Sequence, residues 1–144
     1  MTGLRRAAVI LVVATLALPS CGSDGGPGAP VGPQFIEVDG ERIPASQFVA
    51  AVQGLCTVIA FASTDSQAAE DTFEDQVHAS LHDIGAAVDD LDRSAAASLL
   101  KAKNRVEADF KGGTVSQDNL RELLDATRAA LRRLSVSAPE CPAS

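Results

Sequence analysis

The sequence contains no tryptophan and no tyrosine, so five phenylalanines are its only aromatic residues. Sites that bind sugars or stack nucleobases usually rest on aromatic platforms, so neither kind of site is expected here. Basic residues are also scarce, with 12 Lys and Arg against 19 Asp and Glu and a net charge of −7. This charge disfavours nucleic acid as a partner and gives no electrostatic attraction to anionic lipid.

Two patterns that would indicate catalysis are missing as well. The chain has no Gly-x-Ser-x-Gly segment, and its early glycines do not lie between a predicted strand and helix, as a phosphate-binding loop requires. Carboxylates are plentiful, but Asp and Glu on a protein surface are the ordinary case. We therefore do not predict an enzyme.

The first twenty residues have the layout of a secretory signal. Two arginines precede an apolar run, residues 7–18, which is shorter than the about 20 apolar residues that span a bilayer. The segment Leu18-Pro19-Ser20-Cys21 then resembles the lipobox of bacterial lipoproteins, although Pro19 departs from the residues usual at its position. The abundance of Ala and Asp, and of Arg over Lys, is similar to that of actinobacterial proteins.

The resemblance to lipoproteins implies a division of the chain. Residues 1–20 would be removed as a signal peptide, after export by the general secretory route or the twin-arginine route. Cys21 would carry acyl chains that anchor the protein to the outer face of the cytoplasmic membrane, or to a periplasmic membrane face. Residues 21–34, rich in Gly and Pro without periodicity, would form a tether, and residues 35–144 a single folded domain.

The sequence holds three cysteines, an odd number that is unusual for an exported protein. If Cys21 takes lipid, Cys56 and Cys141 remain, and outside the cytoplasm such a pair most often forms a disulfide. The alternative is one buried thiol and one loose thiol on a C-terminal tail. We predict the Cys56–Cys141 disulfide.

A short β-hairpin is predicted over residues 35–43. Two apolar-rich segments flank Asp39-Gly40, a dipeptide favoured in two-residue hairpin turns. The segment from Val38 to Ile43, followed by a helix with Phe48 near its start, resembles the entry of parvulin-type periplasmic chaperones of the SurA kind. That resemblance implies a chaperone-like envelope lipoprotein, whereas the plainer interpretation is a hairpin that packs against the start of a helix.

Four amphipathic helices are predicted after the hairpin, because apolar residues recur at helical spacing. Ser116 is a predicted N-cap, and Gly112-Gly113 a helix stop. Short connections favour antiparallel neighbours, so the predicted fold is mainly α, a four-helix up-down-up-down bundle that follows the hairpin and the tether. The helices are predicted over residues 45–62, 66–91, 93–110 and 117–134.

The second predicted helix carries both histidines of the chain, His78 and His82, four residues apart. They would share a helix face, where two imidazoles can bind one metal ion. Asp75, one turn earlier, or Glu107 on a neighbouring helix could supply a third ligand, and Zn²⁺ or Cu²⁺ suits such a set. The plainer interpretation is a pair of exposed histidines, on a helix rich in acidic residues, that binds nothing.

Three hypotheses for function follow. The first is a lipid-anchored helical module of the cell envelope, held to the membrane by its lipid, that binds an envelope protein or a small ligand. The second is a lipoprotein that binds Zn²⁺ or Cu²⁺ through His78, His82 and Asp75. The third is the chaperone-like lipoprotein. No cofactor is expected apart from the metal of the second hypothesis.

Overall fold

The computed structural model describes residues 32–142, in which a two-stranded hairpin is followed by five α-helices. The protein is therefore mainly helical with a small antiparallel hairpin before the helices, as predicted. The predicted signal peptide, Cys21 and most of the predicted tether lie outside the described residues. The elements are β1 (Phe35–Val38), β2 (Glu41–Pro44), α1 (Ala45–Phe61), α2 (Ser66–Gln76), α3 (His78–Asp89), α4 (Arg93–Lys111) and α5 (Gln117–Arg133).

The hairpin turn has the conformation that its sequence favours. Asp39 and Gly40 both have positive φ, 51° and 84°, as the two central residues of a type I′ turn require. This turn pairs Val38 with Glu41 and Ile36 with Ile43 in antiparallel register. Val38 and Ile43 are buried, so one side of the hairpin covers the core.

A four-helix bundle is not confirmed, because the helix predicted over residues 66–91 is two helices that meet at Val77. Val77 has φ −120° and ψ −48°, outside the helical range, yet its side chain is only 1% exposed. It packs against Gly54 in α1, where an added Cβ would lie 2.7 Å from Val77 Cγ2. No proline or glycine marks the break, which we attribute to this close packing.

Side-chain caps begin three of the helices. Asp65 accepts a hydrogen bond from the backbone N–H of Ala68, at 3.0 Å, and Asp92 does the same for α4. Ser116 caps α5 as predicted, through the N–H of Asn119 at 3.3 Å. These caps satisfy N–H groups that have no partner within the helix.

The core lies between the apolar faces of all five helices, and every helix contributes side chains that are fully buried. The sequence stripes predict most of this core, with one clear exception. The apolar stripe of the second predicted helix consists of residues at helical spacing from Phe73 to Leu91. Leu91, its last residue, is 65% exposed, because α3 ends at Asp89 and the turn carries Leu91 outward. The largest buried side chains include Phe48, Leu55, Phe73, Leu81, Leu99, Leu123 and Leu131.

Helix α5 returns antiparallel to α1. The side-chain amide of Gln117, at the start of α5, donates to the carbonyl of Ile59 near the end of α1, at 3.1 Å. The C-terminus of α5 therefore lies near the start of α1, together with the hairpin and the α3–α4 turn. We call this side of the domain the hairpin end. Within residues 32–142, no helix has the length and apolar character needed to cross a bilayer.

Candidate functional site

Cys56 of α1 and Cys141 of the C-terminal tail are joined by a disulfide, which confirms the predicted pairing. The bond links residues that are 85 positions apart, with their Cα atoms at 5.3 Å. The tail, residues 135–142, can reach α1 because α5 ends near the start of that helix. Covalent attachment of the tail is therefore a consequence of the helix order.

Noncovalent contacts hold the same tail. Ser135 has φ 57°, and the N–H of Val136 donates to the carbonyl of Leu131 at 2.9 Å, the pattern of a Schellman cap. Val136 is 5% exposed. Arg128 of α5 donates to the carbonyl of Pro139 at 2.9 Å, so its guanidinium fixes the tail above the disulfide.

An open cleft of about 430 Å³ lies between this tail and α5. Arg128 and Arg132 line it, but so does Glu140, which lies 3.2 Å from Arg128. Because Arg128 already binds a carbonyl and a carboxylate of the chain itself, the cleft contains no free guanidinium pair for an anion. We assign it a structural role.

The second candidate site lies where α2, α3 and α4 meet. Nε2 of His78 lies 2.8 Å from Oε1 of Glu107 in α4, and Nδ1 lies 3.5 Å from Oε2 of Glu74 in α2. The rings of His78 and His82 are 5.0 Å apart, so the two histidines are neighbours as their spacing predicts. The break at Val77 makes His78 the first residue of α3.

Lys103 of α4 completes this group, although its side chain is only 3% exposed. Its ammonium group contacts Oε1 of Glu107 at 2.6 Å, the same oxygen that faces His78. Buried lysines are rare unless they are paired, and Glu107 is the partner here. We refer to His78, His82, Lys103 and Glu107 as the lysine cluster.

The structure does not join Asp75 to the two histidines. Asp75 is exposed on α2, on the other side of the break at Val77, and the adjacent Glu74 faces His78 instead. Within residues 32–142, no three or more His, Cys, Asp or Glu side chains are grouped so that they could hold a metal ion. The Lys103 ammonium beside Glu107 also places a positive charge where a metal ion would need a free carboxylate.

Charge and burial shift two groups in the lysine cluster. Desolvation would raise the pKa of Glu107, but the hydrogen bond and charge of Lys103, with the charge of His78, outweigh it and lower this pKa. Desolvation lowers the pKa of His82, and the positive charges of Lys103 and His78 lower it further. The cluster therefore favours an ionised carboxylate on Glu107 and a neutral imidazole on His82.

Lys103 is the member of this cluster that the sequence-based hypothesis missed. A signal was present, because Leu99, Lys103, Val106 and Phe110 follow one another at helical spacing. A lysine within an apolar stripe either extends its charge to solvent or needs a buried partner. Glu107, one turn further along α4, is that partner.

One catalytic spacing does occur among the described residues, since Ser98 and Lys101 match Ser-x-x-Lys. Both side chains are exposed on α4. The Ser98 hydroxyl donates to the carbonyl of Ser94 at 2.8 Å, an ordinary contact within a helix. Since both side chains are exposed and the hydroxyl is bonded within its own helix, we do not assign catalysis to them.

Comparison with known proteins yields no relative: no protein-family model, curated protein or solved structure matches this chain.

Proposed function

We propose that this protein is an extracytoplasmic lipoprotein, anchored through lipid on Cys21, whose helical domain binds another component of the cell envelope. The observation that carries the proposal is the Cys56–Cys141 disulfide. Disulfides persist in oxidising compartments outside the cytoplasm. Cys21 is the remaining cysteine of the sequence, and it ends the Leu18–Cys21 segment that resembles a lipobox.

The anchor would consist of acyl chains linked to Cys21. Burial of each methylene group contributes about 0.8 kcal/mol, so one chain binds reversibly and two or more give stable attachment. Once residues 1–20 are removed, 10 basic and 19 acidic residues remain, and 10 − 19 gives a net charge of −9. Attachment therefore depends on the lipid rather than on the charge of the protein.

The features of the helical domain favour a binding module over a catalytic one. Its described clefts are open, and the buried charges of the lysine cluster are paired with one another. We also propose that the domain is a variant of the four-helix up-down-up-down arrangement, in which α2 and α3 together take the place of the second helix. The antiparallel course of α1 and α5 supports this description.

Substitution of Cys21 tests the anchor. Cys21→Ala should move the protein from the membrane fraction to the soluble or secreted fraction, and intact mass should show that the acyl chains are lost. Ser20→Ala is the matched control, because it changes the neighbouring residue and keeps the thiol. Unchanged membrane partition of Cys21→Ala would refute the proposal.

The partner is sought by affinity capture of the membrane-anchored protein, followed by identification of the proteins and small molecules that co-purify. The Cys21→Ala protein serves as the comparison, since it presents the same domain away from the membrane. Components that depend on the anchor are candidate envelope partners. A capture identical to that of an unrelated lipoprotein would argue against a specific binding role.

Metal binding is a second candidate function, favoured by the 5.0 Å separation of the His78 and His82 rings. Calorimetry with Zn²⁺ and Cu²⁺ tests it on the wild type and on His78→Ala/His82→Ala. Asp75→Asn tests the contribution of the predicted third ligand separately from that of the two histidines. Heat that is unchanged by the double substitution would exclude these histidines as ligands. The chaperone-like hypothesis stays a prediction drawn from the hairpin and the start of α1.

A further inference from the structure

The hairpin end carries a groove, lined by both apolar and charged residues, that the proposed function has not used. The groove has a volume of about 450 Å³ and lies between β1, the end of α3 and the end of α5. Leu91 and Phe35 line it, and they are 65% and 44% exposed. Among the described residues, Phe61 is the one other large apolar side chain of comparable exposure, at 39%. The groove is thus lined by two of the three.

The predicted tether enters the domain at this groove. Pro33 lies on its rim, and Gly32 packs so closely on the α5 end that an added Cβ would be 2.7 Å from the carbonyl oxygen of Ser135. Residues 22–33 separate the groove from Cys21, a reach of at most about 40 Å when fully extended. A Gly-rich linker of this length has a root-mean-square span of about 20 Å.

Phe61 provides a reference point at the other end of the domain. It is the last residue of α1, which begins beside the hairpin at Ala45. At about 1.5 Å per residue, α1 carries Phe61 about 24 Å away from the hairpin end. A lipid on Cys21 would therefore hold Leu91 closer to the bilayer than Phe61.

Charge at the groove is mixed, since Glu37 and Asp90 line it together with Arg133. Leu91 lies within a segment, from Asp65 to Asp92, that has nine acidic residues and no Lys or Arg. At the hairpin end, arginines lie beside the acidic groups. Arg133 is 2.9 Å from Asp92, and Arg42 lies over the Phe35 ring, 4.6 Å from its centre, on the strand opposite Glu37.

We propose that the hairpin-end groove rests on the lipid surface, with Leu91 and Phe35 entering the interfacial layer of the bilayer. The inference rests on the proposed anchor, and it adds the orientation of the domain. Two apolar side chains bind a bilayer weakly by themselves. A tether makes the contact intramolecular, and the high effective concentration then keeps a weak surface occupied.

The absence of tryptophan allows a direct test, because each introduced tryptophan is the only one in the protein. Leu91→Trp reports on the groove, and Phe61→Trp is the matched control at the far end. Both positions are exposed, so neither substitution has to fit into the core. The full chain is expressed with its signal, purified from membranes and reconstituted in phosphatidylcholine vesicles, with and without phosphatidylglycerol.

The readouts are the emission maximum and its quenching by brominated phosphatidylcholine. We expect Trp emission at position 91 to shift to the blue and to be quenched, and emission at position 61 to change in neither respect. Equal quenching at both positions, or none at 91, overturns the proposed orientation. A blue shift at position 91 that disappears when the protein is diluted at constant lipid would show that a second copy of the protein, and not lipid, covers the groove. That result also overturns the proposed orientation.

Intact mass separates this inference from the anchor. Acyl chains on Cys21 together with unquenched emission at position 91 overturn the orientation and leave the lipoprotein proposal standing. A chain without acyl groups overturns both proposals. A second experiment places the reporter at position 35, as Phe35→Trp, and adds Leu91→Asp. The aspartate should make emission at position 35 accessible to soluble quenchers, while attachment to the membrane stays unchanged.

Discussion

The domain joins distant parts of its chain in two chemically different ways. The disulfide ties the tail to α1 across 85 residues, whereas the lysine cluster ties α4 to the break between α2 and α3 through charge and hydrogen bonds. A disulfide stabilises mainly by restricting the unfolded chain, and a buried ion pair acts in the folded state. Reductant should therefore weaken the first connection, and acid or substitution the second.

Removal of the disulfide should have the largest effect. In the chain-entropy model, closure of a loop of this length contributes about 4–5 kcal/mol, less any strain in the native bond. Reduction, or Cys56→Ser/Cys141→Ser, should lower the thermal midpoint by a corresponding amount. Calorimetry on oxidised and reduced protein measures this, with Cys21→Ala as the background so that one pair of thiols is present.

Alkylation before and after reduction provides the control for this prediction. The native protein should expose neither Cys56 nor Cys141 to alkylation, and reduction should release both. Two reactive thiols in the oxidised protein would contradict the Cys56–Cys141 disulfide. A thermal midpoint that is insensitive to reductant would contradict its predicted contribution to stability.

Substitution of Glu107 should have the next largest effect. Glu107→Ala leaves the Lys103 ammonium buried at 3% exposure without its carboxylate, which should cost about 3–5 kcal/mol. Lys103→Met removes the buried charge and keeps an apolar side chain of similar length, so its cost should be smaller. Urea unfolding of the two single variants and of Lys103→Met/Glu107→Leu measures the difference.

The order of these three variants decides the interpretation. The double variant should recover most of the stability lost in Glu107→Ala, since an apolar pair of similar volume often replaces a buried ion pair at little cost. If Glu107→Ala is no more destabilising than Lys103→Met, the Lys103 ammonium reaches solvent in the Glu107→Ala variant. The lysine cluster would then not hold the helices together.

The disulfide and the hairpin could be predicted from the sequence, and the break in the second helix could not. Thiol parity identifies Cys56 and Cys141, and Asp39-Gly40 identifies the turn, because each signal is local or compositional. The apolar stripe on residues 73–91 keeps its spacing through Val77, so periodicity alone indicates one continuous helix. The close packing to which we attribute the break involves Gly54 of α1, which is distant in sequence.

The lysine cluster was predictable only in part, for the same reason. The spacing of His78 and His82 predicts a shared helix face, and the structure places their rings together. The spacing cannot show that Lys103 lies beside them, because that contact depends on how α4 packs against α3. Lys103 adds a paired buried charge beside the two histidines, which their spacing alone does not indicate.

Substitution of Gly54 tests the cause of the break and should have a moderate effect. In Gly54→Ala the new Cβ would lie 2.7 Å from Val77 Cγ2, and such overpacking costs about 1–3 kcal/mol, which the helix propensity of Ala offsets by about 1 kcal/mol. Gly85→Ala in α3 is the matched control, since its Cβ would meet only the end of Leu100, at 3.3 Å. Urea unfolding should therefore show a loss for Gly54→Ala and little change for Gly85→Ala.

Equal effects of the two glycine substitutions would remove the evidence that Gly54 positions the break. A loss in Gly54→Ala that disappears when Val77→Ala is added would strengthen that evidence, because the clash involves Val77 Cγ2. The two substitutions then act through one contact, and their effects are not additive.

The smallest expected effect is the pH dependence contributed by His82. Desolvation, Lys103 and His78 lower the pKa of His82 in the folded protein, whereas the unfolded chain keeps the ordinary value of 6.5. Between the folded value and 6.5, the unfolded state binds more protons, so the free energy of unfolding falls as the pH drops through this window. Glu107 acts in a separate, more acidic window, because its lowered pKa gives stability that is lost as the pH falls below 4.5.

Proton NMR can follow this titration directly, because the chain has only two histidines and His82→Gln assigns their signals. We expect the His82 signal to titrate below the ordinary value, and Lys103→Met to raise its midpoint because the substitution removes a nearby positive charge. In His82→Gln, the loss of stability just below the ordinary histidine pKa should become shallower. Reduction of the disulfide should leave the midpoint of His82 unchanged, since Cys56 and Cys141 are not among the groups that shift it. A midpoint that moves with reduction and not with Lys103→Met would show that the disulfide and the lysine cluster are coupled through the core and do not act separately.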